Sequence, residues 1–325
     1  VDSLTSFWDA VVAFGEAIGS VQVIPLAIAL GFHFLGLVFR AVAWRNIIKC
    51  ALHDEPTPLK PVLGGLLAGA GLNGVVPARG GDLLKLFLVH SRLRLSTYPM
   101  LASSLVPETL FNFVMGVTLL LWAWQLGVLP SAPELPGISA FELSWAARNP
   151  DWAGIIVILV AALIAAIVII QRPRLEKMWH EVSDGLSVLR RPRVYLREVV
   201  TWQAGAWATR VASAWFFLDA FGIEPTLRSA LIVIMVQGVS STLPLTPGGV
   251  GPKQALLVVL LAGEAARSTI LAFSVGMEVA IVAFQFVLGI LAAGLMLDGF
   301  HIREAVARAR REREEVERMA RDPER

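Results

Sequence analysis

The sequence predicts an all-α protein: a polytopic membrane helical bundle with two inverted re-entrant hairpins. Three observations carry this expectation. Hydrophobic residues make up 56% of the 325 residues and charged ones only 17%, where a soluble domain carries about a quarter charged. Five apolar runs reach the roughly 20 helical residues that a hydrocarbon layer about 30 Å thick requires. Two further apolar regions are broken in the middle by proline and glycine, and they resemble each other.

Taken in chain order, Ser3–Ala17 is an amphipathic stretch expected on the outer surface. The first crossing is Val21–Trp44, followed by Thr97–Leu126, Trp152–Ile170, Val199–Ala220 and Ala266–Leu297. Lys and Arg in the connections set the orientation. Residues 1–20 contain none and 128–152 only Arg148, whereas 172–197 contains seven and the tail after Leu297 eight arginines. The outer face therefore receives 1–20 and 128–152; the cytoplasm receives 40–60, 172–197 and the C-terminus. Five crossings fit an outside start and an inside end. The tail at 300–325 alternates Arg and Glu at helical spacing and reads as a solvated, self-paired helix.

The two remaining regions, 59–94 and 226–263, must return to the face they came from. Broken helices are tolerated at membrane depth where the irregular backbone is buried in protein or lines a watery cavity. The two regions align with an offset of 168: Gly80-Gly81 on Gly248-Gly249, and Lys85 on Lys253. Glu108 lies close to the equivalent of Glu278, each inside the following apolar helix. The expected organisation is one transmembrane domain over 1–325, with repeats at about 21–128 and 198–297. Three crossings separate the two hairpins, so the copies are inverted, a plan typical of secondary transporters with substrate at the breaks.

At each break the return helix begins with unpartnered backbone N–H groups and a partial positive charge. Arg79, Lys85 and Lys253 add full charges there, which together suit an anion such as phosphate. The competing reading is that Arg79 and Lys85 pair with Asp82 and only hold the hairpin. Asn73, Ser241 and Thr246 line the bends, where they can donate to a ligand or satisfy the broken backbone. Glu108 with Asn112, and Glu278 with Gln285, lie within the following helices. An intramembrane carboxylate must be protonated or paired, here with Arg79, Lys85, Lys253 or Arg210. Proton coupling and a structural ion pair are both open for these acids. The single cysteine, Cys50, excludes an internal disulfide and is expected to be a small lipid- or interface-facing residue.

The stretches NGVVPARGGDLLK (73–85) and LPLTPGGVGPKQ (243–254) resemble the flippase-like integral membrane family of the lysylphosphatidylglycerol synthase transmembrane region. The residues that carry the likeness are Asn73, Pro77, Arg79, Gly81 and Asp82, then Thr246, Pro247, Gly248, Gly249 and Gly251. The resemblance implies a multi-pass protein of a bacterial or archaeal cytoplasmic membrane that moves aminoacylated phosphatidylglycerol or lipid-linked sugars between leaflets. The family usually has a helix ahead of the region matching Val1–Ala17, so the resemblance implies that this chain lacks that first crossing. Where the family usually has Glu-Arg, an acid and Glu, this chain has Glu108-Thr109, Asn112 and Lys253-Gln254, and the lysine makes the site more basic.

The expected function is therefore a flippase for an anionic, phosphate-containing lipid, aminoacylated or glycosylated, and not an enzyme. The expected substrate site comprises Asn73, Arg79, Gly80, Gly81, Asp82, Lys85, Glu108, Asn112, Ser241, Thr246, Gly248, Gly249, Lys253 and Glu278. The alternatives are a membrane enzyme acting on a lipid phosphate and an accessory subunit of a glycosyltransferase. No cofactor, metal or nucleic acid is called for. Candidate partners are protons, a second copy, and an associated glycosyltransferase or aminoacyltransferase.

Overall fold

A computed structural model of the chain describes residues 19, 21–53, 55–74, 80–93, 96–125, 172–242 and 252–297. The named elements are all helical, with α1 Val23–Ala51, α2 Leu59–Asn73, α3 Gly80–Arg92, α4 Tyr98–Ser103 and α5 Val106–Gln125 before the middle of the chain. After it come α6 Arg172–Gly185, α7 Thr201–Ala220, α8 Leu227–Thr242, α9 Pro252–Leu260 and α10 Arg267–Leu297. Three described stretches are long and apolar enough to cross a membrane: Val23–Ala51, Tyr98–Trp122 and Arg267–Met296. The protein is a polytopic helical bundle. The expected crossing at Trp152–Ile170, the stretch Ser3–Ala17 and the tail at 300–325 lie outside the described residues.

Helix α1 is apolar nearly all round, as a helix surrounded by protein and lipid must be. Its Pro25 sits in the first turn, where a missing N–H costs nothing. It packs along α7, and hydrogen bonds fasten the pair at both ends. Gln22 N donates to Ala220 O at 2.8 Å, and Asn46 Nδ2 donates to Glu198 O at 2.7 Å. The start of α1 thus meets the end of α7, so the two helices run antiparallel. Between these points Ser213 Oγ donates to Ala29 O at 2.9 Å. Helix α7 spans 20 residues but is less apolar than the three spans, because Gln203, Thr209, Arg210 and Ser213 lie on it.

The C-terminal half of α1 is well buried. Trp44, Ile47 and Ile48 are wholly enclosed, and Trp44 Nε1 donates to Ser104 Oγ at 2.8 Å. Truncating a tryptophan so placed costs roughly 3–5 kcal/mol. Cys50 is buried here against Ala43, Ile47, Val188 and Val199, not at the lipid- or interface-facing position expected from the sequence. The connection Ser187–Val200 folds back over the end of α1 and covers it.

Both interrupted regions form helix pairs. Helix α2 packs on α3 and α8 on α9. In the first pair, Gly69 and Gly81 bring the two backbones together: a Cβ on Gly81 would overlap the Gly69 carbonyl and the Asn73 carboxamide. In the second, Arg228 in the first turn of α8 reaches Glu264 just past α9, at 4.0 Å. The start of α8 and the residues after α9 therefore lie near each other.

Helices α1–α5 and α7–α10 follow the same order, and their packing is reciprocal. Helix α2 rests on α10 as α8 rests on α5; α1 touches α2 and α5 as α7 touches α8 and α10. One difference stands out. The helix after the first pair is broken at Ser104–Leu105, whereas α10 runs unbroken for 31 residues. Pro107 supplies the cause, since it lacks an N–H and its ring collides with the carbonyl four residues earlier. The break is tightened by Leu105 N donating to Ala102 O at 3.3 Å.

Candidate functional site

Helices α1, α5, α7, α8, α9 and α10 enclose a cavity of about 890 Å³. Each brings polar groups that a helix in lipid would otherwise shun, and the cavity accounts for them. From α1 come His33 and Arg40; from α7, Gln203, Trp207 and Arg210; from α8, Gln237; from α9 and α10, Lys253, Glu278 and Gln285. The α5 wall is mixed, with Thr109 and Asn112 beside Phe113, Val117 and Leu120.

Two ion pairs belong to the site. Arg40 places both Nε and Nη2 at 2.8 Å from Glu108 Oε1. The Glu108 side chain is 7% exposed and that of Arg40 44%, so the guanidinium closes over the acid while still facing the cavity. Lys253, which is buried, pairs with the Glu278 carboxylate. Both glutamates thus face inward and have a cation, as an intramembrane carboxylate requires.

A hydrogen-bonded chain joins the first pair to α7. Asn112 Nδ2 donates to Glu108 O at 3.0 Å, and Trp207 Nε1 donates to Asn112 Oδ1 at 3.0 Å. The Arg210 guanidinium lies over the Trp207 ring, 5.5 Å from its centroid, and its Nη2 donates to Gln237 Oε1 at 3.4 Å. Also on the wall, Gln285 Nε2 and His33 Nε2 stand 2.8 Å apart. With the amide donating, the imidazole accepts and carries no charge. Gln203 is 1% exposed, and neither its amide oxygen nor its nitrogen has a partner among the described residues.

A cavity lined by Arg40, Arg210 and Lys253, between helices that expose apolar residues, can hold an anionic group. The family model for the lysylphosphatidylglycerol synthase TM region matches residues 4–289. The chain belongs to this family. It is accordingly a multi-pass membrane protein of a lipid-handling family. No curated protein and no solved structure matches the chain.

In this member of the lysylphosphatidylglycerol synthase TM-region family, the candidate residues fall into two groups. Asn112, Lys253 and Glu278 line the cavity, and Glu108 is tied to its wall through Arg40. Asn73, Gly80, Gly81, Asp82 and Lys85 gather instead at the α2–α3 junction. There Gly81 N donates to Asn73 Oδ1 at 2.8 Å, so this helix-start N–H is already satisfied. Lys85 sits 3.3 Å from Asp82 Oδ1 and over the Trp44 ring at 5.2 Å, and it is not part of the cavity wall. Arg79, Thr246, Gly248, Gly249 and the Ser241 side chain lie outside the described residues.

The wall residues missing from the sequence-based set are His33, Arg40, Gln203, Arg210, Gln237 and Gln285. In the sequence, Arg210 and Gln285 stand only as companions of the acids. A signal for the arginines existed. Arg40 and Arg210 stand 170 residues apart, as do Glu108 and Glu278. By sequence alone, Arg40 reads as part of the cytoplasmic end of the first span.

Proposed function

We propose that the protein is a lipid translocase that moves a phosphate-bearing lipid between leaflets. The headgroup occupies the cavity and the acyl chains run along α5 in the bilayer. One observation carries the reading: the cavity wall is itself amphipathic. Arg40, Arg210 and Lys253 share it with Phe113, Val117 and Leu120, and these three apolar residues are exposed. A ligand with a charged head and an apolar tail matches such a wall. The volume lies in the range of about 300–1,000 Å³ usual for ligand sites.

Access from two sides is supported by the antiparallel α1 and α7 and by the reciprocal packing. These fit an inverted repeat whose hairpins are re-entrant from opposite faces, with the C-terminus in the cytoplasm. Glu108 and Glu278 are the groups through which protons would couple, each releasing its cation on protonation.

The test is transport by purified protein in vesicles carrying a fluorescent phosphatidylglycerol. Expected is exchange between leaflets faster than in empty vesicles, with the lipid chemically unchanged. Converted lipid would make the protein an enzyme, and the absence of both exchange and conversion would overturn the reading. Topology is checked by cysteine labelling in a Cys50→Ala background. Positions 60 and 94 should label from the cytoplasm, and 226 and 264 from outside; a pair split between faces removes the hairpins.

A further inference from the structure

The charges in the cavity do not balance. Three cations (Arg40, Arg210, Lys253) stand against two carboxylates, Glu108 and Glu278. Each carboxylate already has its own cation. Arg210 is left with a long hydrogen bond from Nη2 to Gln237 and the face of Trp207, both uncharged partners. His33 adds no charge in its contact with Gln285. The described wall therefore carries one positive charge that no protein group there neutralises, and the residue that carries it is known.

The origin of the imbalance lies in the 170-residue correspondence. Arg40 and Arg210 correspond, and so do Glu108 and Glu278. Arg40 takes Glu108, but Lys253 has taken Glu278, so Arg210 has no acid left to hold. Gln203 adds a second unanswered group, a buried amide with donor and acceptor both unmatched among the described residues. An amide of this kind suits hydroxyl groups, which both donate and accept.

Resting on the translocase reading, we infer that the cavity selects a phosphodiester of net charge −1 with a hydroxyl-bearing headgroup, and that Arg210 takes its phosphate. The unit charge of the wall and the unit charge of the phosphodiester cancel. Arg210 offers the planar, multi-donor guanidinium that phosphate oxygens fit. Lysylphosphatidylglycerol carries two ammonium groups against one phosphate at neutral pH. In the cavity it would leave two uncompensated positive charges in place of none, and uncompensated charge at membrane depth is costly. This chain is thus set for the unmodified or sugar-bearing phosphodiester rather than for the lysine-bearing one.

The experiment measures binding of three dihexanoyl lipids below their micelle concentrations to purified full-length protein, read as melting shift against concentration. The lipids are phosphatidylglycerol, phosphatidylcholine and lysylphosphatidylglycerol. Wild type should bind phosphatidylglycerol at least about tenfold more tightly than the other two. Arg210→Gln should lose roughly ten- to a hundredfold in affinity for phosphatidylglycerol, as expected for a lost charge-assisted hydrogen bond, and should no longer rank the three. Arg210→Lys, which keeps the charge, should weaken binding but preserve the ranking, and it stands in if Arg210→Gln does not fold. Lysylphosphatidylglycerol binding as tightly as phosphatidylglycerol overturns the inference and leaves the translocase reading standing. An Arg210→Lys protein that binds all three equally also overturns it. If wild type binds none of the three and the vesicle assay shows no exchange, the translocase reading falls with it.

Discussion

At the scale of single residues, Arg40 and Glu108 show how position changes the meaning of a charge. The two are 68 residues apart in sequence, and their contact exists only because α5 crosses α1 at this height. Neutralising Arg40 leaves a carboxylate that is 7% exposed without a partner. Stranding a fully buried charge costs about 3–5 kcal/mol. Water reaching Arg40 from the cavity lowers this, and about 2 kcal/mol is expected. Arg40→Gln should therefore melt several degrees below wild type. The double variant Arg40→Gln/Glu108→Gln should recover most of the loss, because neither side then holds an unmatched charge. A double variant no more stable than Arg40→Gln would mean that the guanidinium packs rather than pairs.

Among elements, the contact between α2 and α10 decides how close the two halves lie. Gly71 and Gly289 meet backbone to backbone: a Cβ on Gly71 would stand 2.6 Å from Gln285 O and 2.9 Å from Gly289 Cα. Small residues permit this approach, and close packing is what holds helices together where lipid is as apolar as they are. Gly71→Ala must push the backbones apart, and about 1–3 kcal/mol of destabilisation is expected. Gly294 lies on the same helix as Gly289 but is exposed, and a Cβ there meets nothing within 4 Å. Gly294→Ala should be neutral or stabilise by up to about 1 kcal/mol. Melting curves of the two alanine variants give the comparison, and equal shifts would remove the close contact. The broken regions were legible in the sequence for the same physical reason: proline and glycine inside an apolar run are conspicuous. Their partners were not. Nothing in the run Leu59–Asn73 says that Gly65 and Gly69 face α3 while Gly71 faces α10, since that depends on helices placed later in the chain.

On the scale of the whole molecule, the sequence showed that charged groups sit at membrane depth but not which of them share a space. Lys85 and Lys253 align in sequence, yet one closes a helix junction with Asp82 and the other enters the cavity with Glu278. Similar residues in matching places thus do different work: Asp82 stands three residues before Lys85, whereas Val250 takes that place before Lys253. The break at Ser104–Leu105 gives that asymmetry a mechanical side. One half ends in a jointed limb and the other in a rigid strut. A rocker with equal arms would rest indifferently on either side; a rocker with one jointed arm bends there first and settles to one side. The unloaded protein should therefore favour one face of the membrane before any lipid arrives. Pro107→Ala removes the joint and should shift that resting balance. Spin labels at Thr97 and Leu121, at the two ends of the jointed limb, would report it as a longer and narrower distance distribution. An unchanged distribution would mean that the bend is fixed by the packing around Trp44 and not by the proline.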